Sequence, residues 1–297
     1  MMLKTGIYLC DYGYDLSAAQ SVKLAKQVGF DTFFVDWSAD NPLGKYEEFA
    51  DEAAKNGMVF ESMHAPYRSI DCMWSHSEKE RNFIAQLHGC IDAAARCGVR
   101  YVTVHALNAP TWNPESPKIW SDIGVENFAE IVAYGESKKV FVAFENVEFP
   151  HEQLKRLLEI LRKRVPNALR FVWDVGHEHC YCPNRKECVT DLFGDLLIGT
   201  HIHDNFGQKD PNMVTWHDDV HIMPFDGTLD YRIVATRLKR LNYTGSITLE
   251  LERSPRQWRL LPWYRDYTAD AFFEEAYTRA HRIAVLCENT ENLNNVL

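Results

Sequence analysis

The 297-residue sequence gathers its metal-competent side chains into a few short stretches. The densest is Gly199-Thr-His201-Ile-His203-Asp204-Asn205, followed by Asp219-Val-His221. Neutral imidazole and carboxylate are the usual ligands of zinc and related divalent ions. Taken alone, such a stretch is equally a polar loop with incidental histidines. The same residue types recur, however, in His64-Ala-Pro-Tyr67, at His105, in Glu145-Asn146, in Asp174-Val-Gly-His177 and at Glu250. Each follows directly on a short apolar run. A strand that stops in such residues has its polar end outside the core, and in α/β proteins ligands gather at that carboxyl end.

These runs define the elements that must position the side chains. Apolar, β-branched or aromatic segments predict strands over 5–10, 31–36, 58–63, 100–104, 140–144, 169–173, 196–200 and 246–249. Amphipathic segments between them predict helices from Asp15 or Ser17 to Val28, and over 41–56, 76–97, 122–138, 151–164, 184–193, 229–241 and 267–288. Asp15 and Ser17 are suitable N-caps, Gly29, Gly57 and Gly98 suitable stops, and Pro166 ends another helix. Strands and helices alternate strictly, and the strands are almost continuously apolar, as when both faces of a parallel sheet are buried. The expectation is a single (β/α)8 TIM barrel over residues 1–288, with a polar, fraying tail at 289–297. A doubly wound sheet would advertise a Gly-rich phosphate loop after the first strand. Asp11-Tyr-Gly-Tyr-Asp15 is no such loop.

In a barrel the strand ends converge on one mouth. Glu145 and Glu250 then face each other across the axis, with Asp174 and His201 between them. Two glutamates, an aspartate and a histidine make a mostly oxygen site with open positions. It suits zinc, manganese, magnesium or cobalt, and a substrate chelating through two oxygens. A metal there polarises a carbonyl and stabilises an enediolate. Two opposed glutamates move a proton between the faces of one carbon, or to the next carbon. Aldose–ketose isomerases and ketose epimerases need this arrangement. Arg253, just beyond Glu250, is a candidate for binding a phosphate or carboxylate on the substrate. Tyr8, Asp36 and Trp37 either line the pocket or pack. His179 and His203 are candidates for supporting the ligands, whereas His76, His88, His151, His217 and His281 read as surface residues. The aromatic stretch Trp258–Tyr267 reads as a packed loop or as the interface of a homo-oligomer.

A formal net charge of −10 does not steer the chain to a polyanion, which argues against nucleic acid and for a small-molecule partner. No apolar run is long enough to span a bilayer and the N-terminal stretch has no signal-peptide core, so a cytoplasmic protein with no membrane partner is expected. There the eight cysteines should be thiols. Cys180-Tyr-Cys182 lacks the usual zinc spacing and reads as a pair of loop thiols. No organic cofactor is expected.

At His64-Ala-Pro-Tyr67, Glu145-Asn146, Asp174-x-x-His177, His201-x-His203-Asp204-Asn205, Asp219-x-His221 and Glu250 the chain resembles the xylose-isomerase-like TIM-barrel superfamily, over most of its length. That superfamily includes sugar-phosphate isomerases and epimerases, tagatose and psicose epimerases, inosose dehydratases, hydroxypyruvate isomerases and endonuclease IV. The resemblance implies Glu145, Asp174, His201 and Glu250 as metal ligands and Glu145 with Glu250 as the catalytic acid/base pair. It implies His177, with His64 and His105, as contacts to a sugar or sugar-phosphate substrate. The endonuclease IV branch holds three zinc ions, and this chain has residues for a set that large, adding His64, His105, His177, Asp219 and His221. A multi-zinc phosphodiesterase and a keto-polyol dehydratase therefore stand as alternatives to the isomerase. The acidic charge and the lack of an evident Lys/Arg-rich stretch in the mouth loops weigh against the nuclease. The chain also departs from the ketohexose epimerases, which resemble His-x-Gly-Glu-x-x-Arg after strand seven. Here Gly207 stands in the arginine's place and Lys209 is the nearest cation.

Overall fold

The computed structural model describes residues 2–10, 12–108, 120–147, 152–182, 188–210 and 216–290. Its strands are β1 (Lys4–Tyr8), β2 (Thr32–Asp36), β3 (Val59–His64), β4 (Tyr101–Val104), β5 (Phe141–Glu145), β6 (Leu169–Asp174), β7 (Leu197–His201) and β8 (Ser246–Leu249). They pair in parallel in the order β7-β6-β5-β4-β3-β2-β1-β8. Ile202, one residue beyond β7, closes the ring by a parallel bridge to Leu249. Its N–H donates to Thr248 O at 2.9 Å, and it accepts from Glu250 N–H at 3.0 Å. This is the single (β/α)8 barrel that the alternation predicts.

The helices are α1 (Ala18–Val28), α2 (Leu43–Asn56), α3 (Glu78–Arg96), α4 (Asp122–Lys138), α5 (Glu152–Arg164), α6 (Val175–Tyr181), α7 (Val189–Phe193), α8 (Tyr231–Arg240), α9 (Pro255–Leu260) and α10 (Ala269–Asn289). Ser17 and Ser77 open α1 and α3 through capping boxes with Gln20 and Glu80, which pins those starts. Gly57 ends α2 in the left-handed region at φ 64°. Two expectations need correction. The helix expected over 184–193 is α7 alone among the described residues, which leave out 183–187, and α6 forms earlier, directly from the end of β6. The stretch 258–267 is no loop: it holds the second half of α9 and a 3-10 turn at Pro262–Arg265. Among the described residues no helix is long and apolar enough to cross a membrane. Residues 291–297 of the expected tail lie outside the described residues, and Asn289 still belongs to α10.

Strand period decides which side chains reach the mouth. Val102, Val142, Phe144, Phe171 and Trp173 belong to the large core between sheet and helices, and each is at most 1% exposed or fully buried. Complete burial of one such side chain contributes roughly 1.5–3 kcal/mol. Their alternates Tyr101, Ala143, Val172 and Ile198 form a separate cluster. Residues two apart on a strand share a face. Glu145 follows Ala143, and Asp174 follows Val172, by that step, so the carboxylates share the side of the inner cluster and not of the helices.

Candidate metal centre

Glu145, the last residue of β5, is the hub of the mouth and is 1% exposed. Its Oε1 lies 3.0 Å from His201 Nδ1, and its Oε2 lies 3.0 Å from His105 Nε2 and 3.2 Å from His64 Nε2. The same His201 nitrogen is 2.9 Å from Glu250 Oε2. Asp174 ends β6 and caps α6 by accepting the N–H of His177. Asn146 holds it from both sides: its Nδ2 donates to Asp174 O at 2.7 Å and its Oδ1 accepts from Asp174 N–H at 2.8 Å. Glu145, Asp174, His201 and Glu250 thus offer ligand atoms within 4.8 Å of one another, and so do His64, Glu145 and His201. His105 lies outside these groups but touches both His64 and Glu145.

A second group joins the first at Asp174. His177, His203, Asp219 and His221 also place ligand atoms within 4.8 Å of one another. Asp219 lies 3.2 Å from His177 Nε2 through Oδ2, and 3.2 Å from His221 Nε2 through Oδ1. His203 Nε2 lies 3.2 Å from Asp174 Oδ1 and 3.5 Å from Asp219 Oδ1, and its ring stacks on His221 with centroids 3.7 Å apart. His203, expected only to support the ligands, is therefore a full member of this group. The signal was available: His201 and His203 are two apart in extended chain, so both face inward. Asp204 holds the loop that returns with Asp219 and His221, accepting the N–H groups of Asn205, Phe225 and Leu229 at 2.9, 2.9 and 3.2 Å. His221 sits at φ 44°, a left-handed conformation unusual for histidine, and its Nδ1 is fixed on Glu250 O at 3.0 Å. Nδ1 must be the donor there, which leaves Nε2 as the nitrogen facing Asp219.

The electrostatics call for positive charge. Burial alone would raise Glu145, yet the charge of His201 and hydrogen bonds from His105, His201 and His64 hold it well below the usual carboxylate range. Glu250 is likewise held low against burial, chiefly by His201. His201 in turn stays protonated far above its usual range, against burial, because Glu250 and Glu145 flank it. Asp174 and Asp219 push His177 up to about 10 despite burial. Among the described residues the buried polar atoms Asp174 Oδ2, His177 Nδ1 and His201 Nε2 of the site make no hydrogen bond. Leaving such atoms unpaired costs roughly 1–3 kcal/mol each. A divalent ion satisfies this donor set better than protons do, since it supplies the charge and binds the lone pairs. The residues fit a metal.

The centre opens into a pocket of about 120 Å³ lined by Tyr8, Asp36, Tyr67 and Glu252 together with His64, His105, His177, Asp219, His221 and Glu250. Tyr8 and Asp36 therefore line it, while Trp37 lies on the α3 side, its ring close to Gly89. The structure does not bring Arg253 to the pocket. Its guanidinium donates to the carbonyls of Tyr264, Tyr12, Arg265 and Tyr267 and stacks over Tyr14, tying the residues after β8 to those after β1. His179 reaches Thr228 Oγ1 at 2.8 Å, behind Gly207. Cys180 lies within α6 and is no loop thiol, whereas Cys182 follows the helix as its C-cap; both are buried. His76 and His217 are exposed as expected, and His151 lies outside the described residues.

Residues 22–267 match the family described as xylose isomerase-like TIM barrel. The chain is 24% identical over 306 residues to the uncharacterized protein y4fM of Sinorhizobium fredii, covering 93% of this chain and 90% of that one. Among solved structures it is similar to a D-psicose 3-epimerase from Clostridium cellulolyticum H10, with a TM-score of 0.73 and 15% identity over 96% of this chain and 99% of that one. It is also similar to 3-keto-D-glucoside 4-epimerase from E. coli, with a TM-score of 0.63 and 18% identity over 89% and 100% of the two chains. The sequence match spans seven of the eight strands and the solved relatives repeat the barrel, so the chain belongs to the xylose isomerase-like TIM barrel family.

Proposed function

We propose that the protein is a divalent-metal-dependent isomerase or epimerase acting on a sugar, with Glu145 and Glu250 as its acid/base pair. One observation carries this reading. Glu145 and Glu250 come from strands three places apart around the ring, yet both lie within 3.0 Å of the same nitrogen, His201 Nδ1. With Asp174 they form the mostly oxygen donor set that holds zinc, manganese, magnesium or cobalt. When bound, such an ion supplies Lewis-acid polarisation of a substrate carbonyl. The protein's own part is the proton. One glutamate takes it from the carbon beside that carbonyl, leaving an enediolate, and the other returns a proton to that carbon or its neighbour. Both carboxylates are held ionised at rest, so either can serve as the base, and the one opposite returns a proton that it first takes up from solvent. Phe34, fully buried, stacks on His201 at 4.6 Å and closes the floor to water. The epimerase names of the structural relatives agree with the reading.

Loaded with Mn2+ or Co2+, the wild type is expected to exchange a ketose C–H proton with D2O, followed by NMR. Glu145→Gln and Glu250→Gln should each slow exchange by about 10²–10⁴-fold, the typical contribution of general acid–base catalysis. Unchanged exchange in both variants overturns the pair. A second reading, a multi-metal phosphodiesterase, is favoured by the His177–His203–Asp219–His221 group and by the side of Glu145 that faces His64 and His105. Paired ions suit in-line displacement at phosphorus. Several ions per chain and nicking of abasic DNA, without exchange on any ketose, would select it.

A further inference from the structure

The two strands that bring nothing to the metal centre end in a pair of their own. β1 ends at Tyr8 and β2 at Asp36, and both line the pocket. Tyr8 Oη donates to Asp36 Oδ2 at 2.7 Å, the carboxylate's one hydrogen bond among the described residues. Phe33, Phe34 and Val35 before it are buried, whereas Asp36 is open to water from the pocket. The pair is held in place by aromatic stacking. Tyr8 lies on Phe34 with centroids 4.9 Å apart, and Phe34 lies on His201 at 4.6 Å. One rigid stack thus sets the distance between the pair and the candidate metal ligands.

What the pair offers a ligand is acceptors. Tyr8 spends its only hydroxyl proton on Asp36, so its oxygen presents lone pairs, and a carboxylate accepts only. Two adjacent acceptors match neighbouring hydroxyl donors. The rest of the lining points the same way. Its described residues carry the carboxylates Asp36, Asp219, Glu250 and Glu252 and neither lysine nor arginine; its histidines pair with Glu145 and Asp219 rather than with Asp36, and Arg253 is spent on backbone carbonyls. A bound ion would compensate Asp219 and Glu250, but Asp36 would still repel a phosphate. We propose that Tyr8 and Asp36 bind the hydroxyls of an uncharged polyol chain, so that the pocket takes a free sugar in preference to a sugar phosphate. This rests on the sugar reading above and adds the substrate class and the residues that select it.

Calorimetry with unreactive probes tests it. Xylitol and mannitol, and the same polyols bearing a terminal phosphate, are titrated into Mn2+-loaded wild type, Tyr8→Phe and Asp36→Ala. The wild type should bind the free polyols more tightly than the phosphates. Both variants should weaken free-polyol binding tenfold or more, about 1.4 kcal/mol, at unchanged manganese content. Tyr8→Phe keeps the ring stack, so its loss cannot be a packing effect. The proposal fails if the wild type binds no polyol or prefers the phosphates, or if the variants bind as the wild type does. It fails also if Asp36→Ala loses manganese, since Asp36 would then be a ligand. Ketose exchange by the wild type, run in parallel, reports on the sugar reading alone. Exchange with unaltered polyol binding in the variants overturns this inference and spares that reading.

Discussion

Asp174 carries two tasks, and the two separate by substitution. It is one of the four grouped metal ligands, and its Oδ1 caps α6 by accepting the N–H of His177. Asparagine keeps an oxygen for the cap but loses the charge, whereas alanine loses both. Asp174→Asn is therefore expected to lose the ion of the Glu145–His201–Glu250 group with little change in apo-protein stability. Asp174→Ala should lose the ion and a further ~1 kcal/mol, the typical worth of an N-cap. Metal content by mass spectrometry and urea unfolding of the apo proteins give the two readings. Equal stabilities would mean that the cap contributes nothing. Glu145, Asp174, His201 and Glu250 were legible residue by residue because each stands at the end of an apolar run, whereas His203 was read only as a support for them. Tyr8 and Asp36 were legible only as ambiguous, since a tyrosine or aspartate at a strand end carries no spacing that marks a pair. Their meeting depends on β2 running two residues beyond the end of β1, which the register Tyr8↔Phe34 supplies, so that the Tyr8 hydroxyl reaches up to Asp36.

At the scale of elements, α6 is the piece the sequence hid. Seven residues, Val-Gly-His-Glu-His-Cys-Tyr, show no amphipathic repeat because the helix is buried almost all round. Its first turn has no free space. A Cβ on Gly176 would lie 2.1 Å from His203 Cε1, so only glycine lets the helix approach β7's continuation. Asn205 Nδ2 pins the same turn by donating to Gly176 O at 2.8 Å. Gly176→Ala is expected to destabilise the fold by roughly 1–3 kcal/mol, the usual range for overpacking. It should also displace His203, lowering metal occupancy in the His177–His203–Asp219–His221 group more than in the group around Glu145. Metal titration of the variant checks this. An unchanged second site would show that His203 is not one of its ligands. The strands, by contrast, were legible to within a residue or two, because burial on both faces leaves runs that only a strand explains. Glycine stops were legible for the same kind of reason: Gly57 and Gly98 stand at φ 64° and 68°, where other residues are strained.

Across the whole molecule the barrel buries polar groups well away from its ligand-bearing strand ends too. Glu61 is the residue skipped where the β2–β3 register shifts, between Phe33↔Phe60 and Phe34↔Ser62. That irregularity places its carboxyl against three hydroxyls, with Thr32, Ser246 and Thr248 donating at 3.3, 3.1 and 3.4 Å, at 7% exposure. Burial raises its pKa, and the hydroxyls and the charge of Arg100 do not overcome that. A raised folded-state pKa means that the folded chain binds the proton more tightly than the unfolded one. The stabilising effect of this proton is fully present below the ordinary glutamate pKa of about 4.3 and is lost as pH rises through the folded value. Glu61→Gln cannot ionise, retains an acceptor oxygen, and adds an amide that the hydroxyl oxygens can accept from. It is expected to be more stable than the wild type at pH 7, with the gap closing towards pH ~4 as the native carboxyl protonates. Urea midpoints at the two pH values measure the gap, and titration of the distant metal centre, common to both proteins, cancels in the difference. A glutamine variant less stable at pH 7 would mean that three hydroxyl bonds to an ionised carboxylate outweigh its burial. The floor of the barrel would then be a site built for charge and not, as the shift indicates, a polar layer that tolerates it.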